Sequence, residues 1–298
     1  MKEELISKGF IPLDKSWIIR MGVLDMINNN KETLEFLNKQ KNLGSDLLTL
    51  RNILRKKNQE IDVGESGTLY RFLQFASWKL GLNHRFVKHG TLKHRNITDD
   101  PKIINLSQKE LLKLDSGTSQ WASASVLMGD KERIENPPTK LALSYEAFDH
   151  WHFQRKQNLL WKPKYDKTIL KQALSFIELL KTNLTSFVPE HSEDYCFARA
   201  FNLISKNEGQ NKFPSIAGHE SNRLKEMETC LQQASAGKEI ESKDHRVIQA
   251  LAMLHQTKNL QIKFKYPKSV NKSWPQFWDF LEWTCRESNP DPSTASRI

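Results

Sequence analysis

Two short stretches place glycine and hydroxyl side chains where an apolar helix begins: Gly64-Glu65-Ser66-Gly67-Thr68 and Asp115-Ser116-Gly117-Thr118-Ser119-Gln120. Free backbone N–H groups and the positive end of a helix dipole make such a turn receptive to anions, and the hydroxyls add donors. The same residue types also serve as plain helix caps, and either turn taken singly is more simply a cap. Neither is a P-loop, because no Gly-Lys-Ser/Thr follows at the required spacing. Glu65-Ser66-Gly67 falls short of a nucleophile elbow, which needs glycine two residues after the serine, where Thr68 stands. His150 and His152 lie two apart without the carboxylate or cysteine pattern that completes a metal site, so no metal is expected. Cys196, Cys230 and Cys285 are odd in number and far apart, which fits neither a disulfide framework nor a zinc spacing and points to a reducing cytoplasm.

From Arg246 to Trp278 the chain carries Lys258, Lys263, Lys265, Lys268 and Lys272 and no acid. Phe264 and Tyr266 lie between the lysines, as in a nucleic-acid stripe. On a strand those aromatics face away from Lys263 and Lys265, so the two cannot share one stacking surface. Lysines along a solvated strand edge account for the same pattern.

A series of further motifs runs in order through the chain. It begins with Lys15-Ser16 and Arg20, then Gly67-Thr68 with Arg71, then Leu92-Lys93-His94-Arg95, then Thr118-Ser119-Gln120. Later come His219-Glu220-Ser221-Asn222-Arg223, Asp244-His245-Arg246, and Lys272 before Trp274-Pro275. The series resembles the 5-enolpyruvylshikimate-3-phosphate synthase family, the enolpyruvyl transferases of aromatic amino-acid synthesis. The resemblance implies transfer of the carboxyvinyl group of phosphoenolpyruvate to the 5-hydroxyl of shikimate 3-phosphate, with release of phosphate and no cofactor. It implies that Lys15, Gly67, Arg95, Gln120, Arg223, Arg246 and Lys272 surround phosphoenolpyruvate. Ser16, Arg20, Thr118, Ser119, Gln120, Ser144, Glu193 and His219 would hold shikimate 3-phosphate. Lys15, Glu193, Glu220 and His245 would be the catalytic set, with Glu190 and Asp194 competing for the place given to Glu193. Arginine suits this work, because its planar fork meets carboxylate and phosphate bidentately.

The chain departs from the family pattern at several places. Asn96 replaces the proline after Arg95, Glu65 stands where a small or amide residue is usual, His219 replaces a lysine, and Ser215 replaces a frequent asparagine. An acid such as Glu65 beside an anionic ligand repels it unless a cation pairs with it. The chain is also short for the family. Two other functional classes remain: Glu65 and His219 suggest a weakened paralogue that only binds phosphorylated metabolites, and the net charge with the lysine-rich stretch suggests a basic nucleic-acid-binding protein. On the main reading the partners are the two small-molecule substrates, with neither nucleic acid nor membrane, and the chain is a cytoplasmic monomer.

The elements that must position these residues follow from apolar periodicity. Helices are expected over 15–28, from about 45 onward, after Thr68, after Ser119, and over 169–182, 224–234, 247–255 and 276–283. A strand is expected over 260–266, where apolar and polar residues alternate. Helices interleaved with strands predict an α/β or α+β fold, and the resemblance sharpens this to a two-lobed inside-out α/β barrel built from βαβαββ units and reduced in size. The expected lobes are 12–157, and 1–11 with 158–287, followed by a disordered tail over 288–298. With 298 residues, 38% hydrophobic and 27% charged, the chain can build real cores. Its formal net charge of +10 favours anionic partners. No apolar run reaches the roughly 20 residues of a membrane helix, and the start lacks the apolar stretch of a secretion signal.

Overall fold

The structure is a computed structural model of the chain. It describes residues 1–56, 58–115, 118–129, 137–154, 163–184, 187, 194–212, 222–258 and 262–288. The chain divides into two compact units, an inserted unit of Leu13–Lys164 and a terminal unit of Met1–Pro12 with Tyr165–Ile298. The expected tail falls almost wholly outside the described residues.

In chain order the terminal unit opens with α1 (Lys2–Ser7). The inserted unit follows with α2 (Lys15–Ile27), α3 (Glu32–Lys39), α4 (Ser45–Arg55), β1 (Glu60–Asp62), α5 (Gly67–Lys79), β2 (Arg85–Val87), α6 (Gln108–Leu111), α7 (Gln120–Leu127) and α8 (Thr139–Asp149). The terminal unit resumes with α9 (Lys167–Thr182), α10 (Tyr195–Ala200), α11 (Lys206–Lys212), α12 (Arg223–Ser235), α13 (His245–Lys258) and α14 (Phe277–Ser288).

This architecture overturns the expected α/β barrel of βαβαββ units. Helices dominate, and among the described residues the strands are β1 and β2, which form one two-stranded parallel sheet. The register pairs Glu60 with Arg85, Ile61 with Phe86 and Asp62 with Val87. The sequence supplies a physical reason: its apolar residues recur mostly at helical spacing, and the continuous β-branched runs that make buried parallel strands are scarce. The strand expected over 260–266 is not formed either. Residues 259–261 lie outside the described set, and Phe264 makes a single bridge to Ile240. That segment instead closes onto the core, with Phe264 against Trp278 at 5.9 Å. No helix among the described residues is long and apolar enough to cross a membrane.

In the inserted unit α2 is buried on most sides, through Trp17, Ile18, Ile19, Met21, Val23 and Leu24. Asp14 starts it by accepting a hydrogen bond from Trp17 N at 3.0 Å. Gly22 permits close approach to α4, since a Cβ there would stand 2.8 Å from a Leu50 methyl carbon. The small residues Ala122, Ser123, Ala124 and Ser125 of α7 are all buried, and Trp121 stacks on Trp78 of α5 at 5.9 Å. Between the two parallel strands, α5 forms the crossover of one βαβ unit, so its N-terminus follows directly from β1 through the Gly64–Thr68 turn.

In the terminal unit α13 is the central rod, with Val247, Ile248, Ala250, Leu251 and Met253 completely buried. Trp274 packs on Phe277 and Phe280, and its indole N–H donates to Phe10 O at 2.7 Å. Asp166 N donates to Pro12 O at 2.9 Å, which also ties residues 1–12 to this unit. Asp166 then caps α9 by accepting from Ile169 N at 2.9 Å. Gly209 sits in the middle of α11 because Tyr195, fully buried, lays its ring where a Cβ would be.

Glycine to alanine in an exposed helix normally stabilises by about 1 kcal/mol. Gly209→Ala should do the reverse, because the Tyr195 ring is enclosed and cannot yield. Overpacking of this kind costs about 1–3 kcal/mol, readable as a lowered urea midpoint. A raised midpoint would mean that the α10–α11 contact is loose.

Candidate functional site

Arg20 lies on α2 and is 7% exposed. Its Nε donates to Ser144 Oγ at 2.8 Å, Nη1 to Ser16 O at 2.8 Å, and Nη2 to Ser123 Oγ at 3.4 Å. The guanidinium also lies 5.2 Å from the Phe72 ring centroid. All three hydrogen-bond acceptors are neutral. Burial lowers the pKa of Arg20 to about 10, with Asp14 opposing the shift, so the group keeps its charge at neutral pH. Ser16, Arg20 and Ser144, singled out from scattered motifs, are therefore one cluster. Ser123 completes it, and nothing but its place among the small residues of α7 signals it in the sequence.

A second cluster joins the starts of α5 and α7. Arg71 Nε donates to Asp115 Oδ2 and Nη1 to Gln120 Oε1, both at 2.7 Å, while Gln120 Nε2 donates to Thr68 Oγ1 at 2.8 Å. Asp115 also accepts from Thr98 N, Thr98 Oγ1 and Trp121 Nε1. Burial pushes its carboxyl up, and these hydrogen bonds outweigh that and hold it below the usual range. Asp115 adopts a positive φ of 47°, rare for a residue with a side chain. Arg95 Nη2 donates to Thr91 Oγ1 at 3.1 Å, and its Nη1 lies 3.4 Å from where a Gly67 Cβ would stand. Gly67 therefore keeps open the space into which Arg71 and Arg95 both reach.

The two turns differ in how their helix ends are used. Ser66 caps α5 by accepting from Leu69 N. Ser119 makes no such side-chain cap on α7, and Thr118 Oγ1 accepts from Gln120 N at 3.4 Å. Glu65 is exposed, with its carboxylate laid over Gly90, which has no side chain to obstruct it. Lys15 forms an ion pair with Asp46 at 3.0 Å.

In the terminal unit Arg223 Nε donates to Asp244 Oδ2 at 2.9 Å. Asp244 Oδ1 accepts from Arg246 N at 2.8 Å and so caps α13. Arg246 is 8% exposed, and its Nη1 donates to Gln172 Oε1 at 2.6 Å; Gln172 Nε2 donates in turn to Asp194 Oδ1 at 2.6 Å. Asp194, one of the three acids competing for the base position, is thus held by an amide. His245 is pushed down to about 3 by burial and by the nearby charges of Arg246, Arg223 and Lys272, against the opposing pull of Asp244. It is a neutral imidazole and a weak base. Cys196 is raised by burial and by Asp244, which makes it an unreactive thiol.

Glu190, Glu193, Ser215, His219 and Glu220 lie outside the described residues, as do Ser116 and Gly117. His150 and His152 are aromatic packing groups, His150 edge-on to Trp17 and His152 against Phe148 and Trp151. Lys265 pairs with Glu241 at 2.8 Å, and Tyr266 carries Lys243 and Lys265 over its ring. Both aromatics of the lysine-rich stretch are half-buried, Phe264 against Trp278 and Tyr266 under the two lysines.

His245 gives a pH dependence with a definite sign. Its folded pKa lies below the ordinary value of 6.5, so the unfolded chain binds the proton first as pH falls. Its stabilising contribution is complete above about pH 6.5 and is lost progressively down to about pH 3. Asp115 has the same sign but acts only below its ordinary 3.8. The urea midpoint should therefore decline from pH 7 to pH 4, and His245→Asn should flatten that decline. An unchanged slope in the variant would remove His245 as its source.

Compared with known proteins, the chain matches no family model, no curated protein and no solved structure.

Proposed function

We propose that the chain binds small organic phosphates and carboxylates, and that it moves the carboxyvinyl group of phosphoenolpyruvate to the 5-hydroxyl of shikimate 3-phosphate. The observation that carries the anion-binding half is the pair Arg20 and Arg246. Each is a buried guanidinium whose side-chain hydrogen bonds among the described residues go to neutral oxygens. A buried cation without a bonded carboxylate bears a desolvation cost that an anionic ligand relieves. The transfer half rests on the motif series in the sequence. It does not rest on the family's fold, which this chain lacks.

In the reaction the 5-hydroxyl gives its proton to a general base as its oxygen bonds to C2 of phosphoenolpyruvate, and C3 takes a proton from a general acid. The C2–O bond to phosphate then breaks, inorganic phosphate leaves, and C3 returns the proton. Arginine and lysine side chains stabilise the charge on both substrates, and general acids and bases carry the proton. On this reading the chain acts in the cytoplasm as a monomer.

A second reading, binding without turnover, is favoured by the Lys15–Asp46 ion pair, which engages the lysine expected to carry a proton. Phosphate release measured with both substrates, and with either omitted, separates the two. Release that requires both supports the transferase; binding of both without release supports the receptor. Arg20→Met and Arg246→Met should each weaken binding about 10- to 100-fold, the equivalent of one charged hydrogen bond. The melting temperature without ligand should fall by a few degrees, because the buried Ser123 and Ser144 hydroxyls, or the Gln172 amide oxygen, lose their donor, so binding is measured well below it. Unaltered binding in both variants would refute the assignment.

A further inference from the structure

The cluster around Asp115 has a fixed hydrogen-bond polarity. A carboxylate only accepts and a guanidinium only donates. Asp115 therefore orients Arg71, and Arg71 obliges Gln120 to turn its amide oxygen inward. The Gln120 amide nitrogen must then point the other way, where it donates to Thr68 Oγ1. With its oxygen engaged as an acceptor, Thr68 has its own hydroxyl proton left to give. No described side chain or carbonyl takes that proton, and Thr68 is only half-buried, on the first turn of α5. The second N–H of the Gln120 amide is likewise a donor.

We infer that Asp115 and Arg71 are positioning residues, and that by fixing the Gln120 amide they leave an N–H of Gln120 and the hydroxyl proton of Thr68 to be donated to a ligand oxygen bearing negative charge. The inference rests on the reading above that Gln120 meets the ligand, and it extends that reading to Thr68. The shared chemistry is an acceptor-only oxygen, whether of phosphate or of carboxylate. Arg95 and the side-chain-free Gly67 border the same helix start and add positive charge there.

Gln120→Glu tests the relay with almost no change of shape. The new carboxylate still accepts from Arg71, but it turns Thr68 around, so that the threonine donates inward and shows lone pairs to the ligand. Affinity for phosphoenolpyruvate and for shikimate 3-phosphate would be measured by calorimetry in the wild type, Gln120→Glu, Thr68→Val and the double variant. Thr68→Val should lose about tenfold in the wild-type background. Gln120→Glu should lose at least as much while melting as a folded protein. In the Gln120→Glu background Thr68→Val should cost nothing further, a non-additivity that a merely structural threonine does not produce. Additive losses, or Gln120→Glu binding both ligands as the wild type does, would overturn this inference and leave the proposed function standing. A wild-type chain that binds neither ligand would overturn both. Phosphate and sulfate run alongside phosphoenolpyruvate separate the two sources of the anion, since a carboxylate-selective site ignores them.

Discussion

Taking a charged guanidinium out of water costs several kcal/mol unless something inside the protein compensates. Much of this molecule can be read as arrangements that meet that constraint. Arg71 meets it with an ionised acid that is itself saturated by Thr98 and Trp121. Arg223 meets it with Asp244, whose other oxygen caps α13. In both cases the carboxylate is fixed by backbone or indole donors before it is offered to the arginine. The ion pair is then rigid, and little side-chain entropy is lost in forming it.

The helical scaffold follows from the same requirement. Arg20 reaches Ser144, 124 residues away in sequence, only because α2, α7 and α8 approach closely around small side chains. Ser123 and Ser144 are completely buried and would be poor core residues on apolar grounds. Their hydroxyls are satisfied by the guanidinium and in turn satisfy it, so the polar centre is tolerated within an otherwise apolar unit. The Phe72 face beneath Arg20 adds attraction without a second charge. Sheet structure contributes little here, and its one βαβ unit serves to aim the start of α5.

The local part of this organisation was legible in the sequence. Apolar spacing marks α4, α9, α12 and α14, which bury one face, and apolar content marks α2, α5, α7 and α13, which are buried on most sides; Asp14 is a cap visible by type alone. The global part was not. Short alternating runs such as 260–266 carry the period of a strand, yet tertiary packing of Phe264 on Trp278 decides their conformation. Expecting a barrel transferred a family's architecture from motifs that encode only helix starts. The partners of the arginines were equally hidden. Gln172 did leave a trace, since it falls on the apolar face of α9 between Ile169 and Phe176, where an unpaired amide would be costly. Asp115 was visible only as the first residue of a helix-start turn, because its importance lies in a positive φ and in contacts with Thr98 and Arg71 that no spacing encodes.

Sorting the arginines by partner, not by motif, separates structure from function. Arg71 and Arg223 are neutralised by bonded carboxylates and act mainly to hold other groups. Arg20 and Arg246 are as deeply buried, yet their side chains are bonded to hydroxyl, carbonyl and amide oxygens. Neutral acceptors orient a guanidinium without cancelling its charge, so the field at these two sites remains available to an incoming anion. Asp14 acts on Arg20 only through space, and the neutral His245 adds no repulsion toward Arg246. A protein that needed these arginines only for stability would do as well with an acid beside each. Leaving each guanidinium without a bonded carboxylate is costly for folding, and that cost is the physical ground for the proposal that ligand charge sits at Arg20 and Arg246.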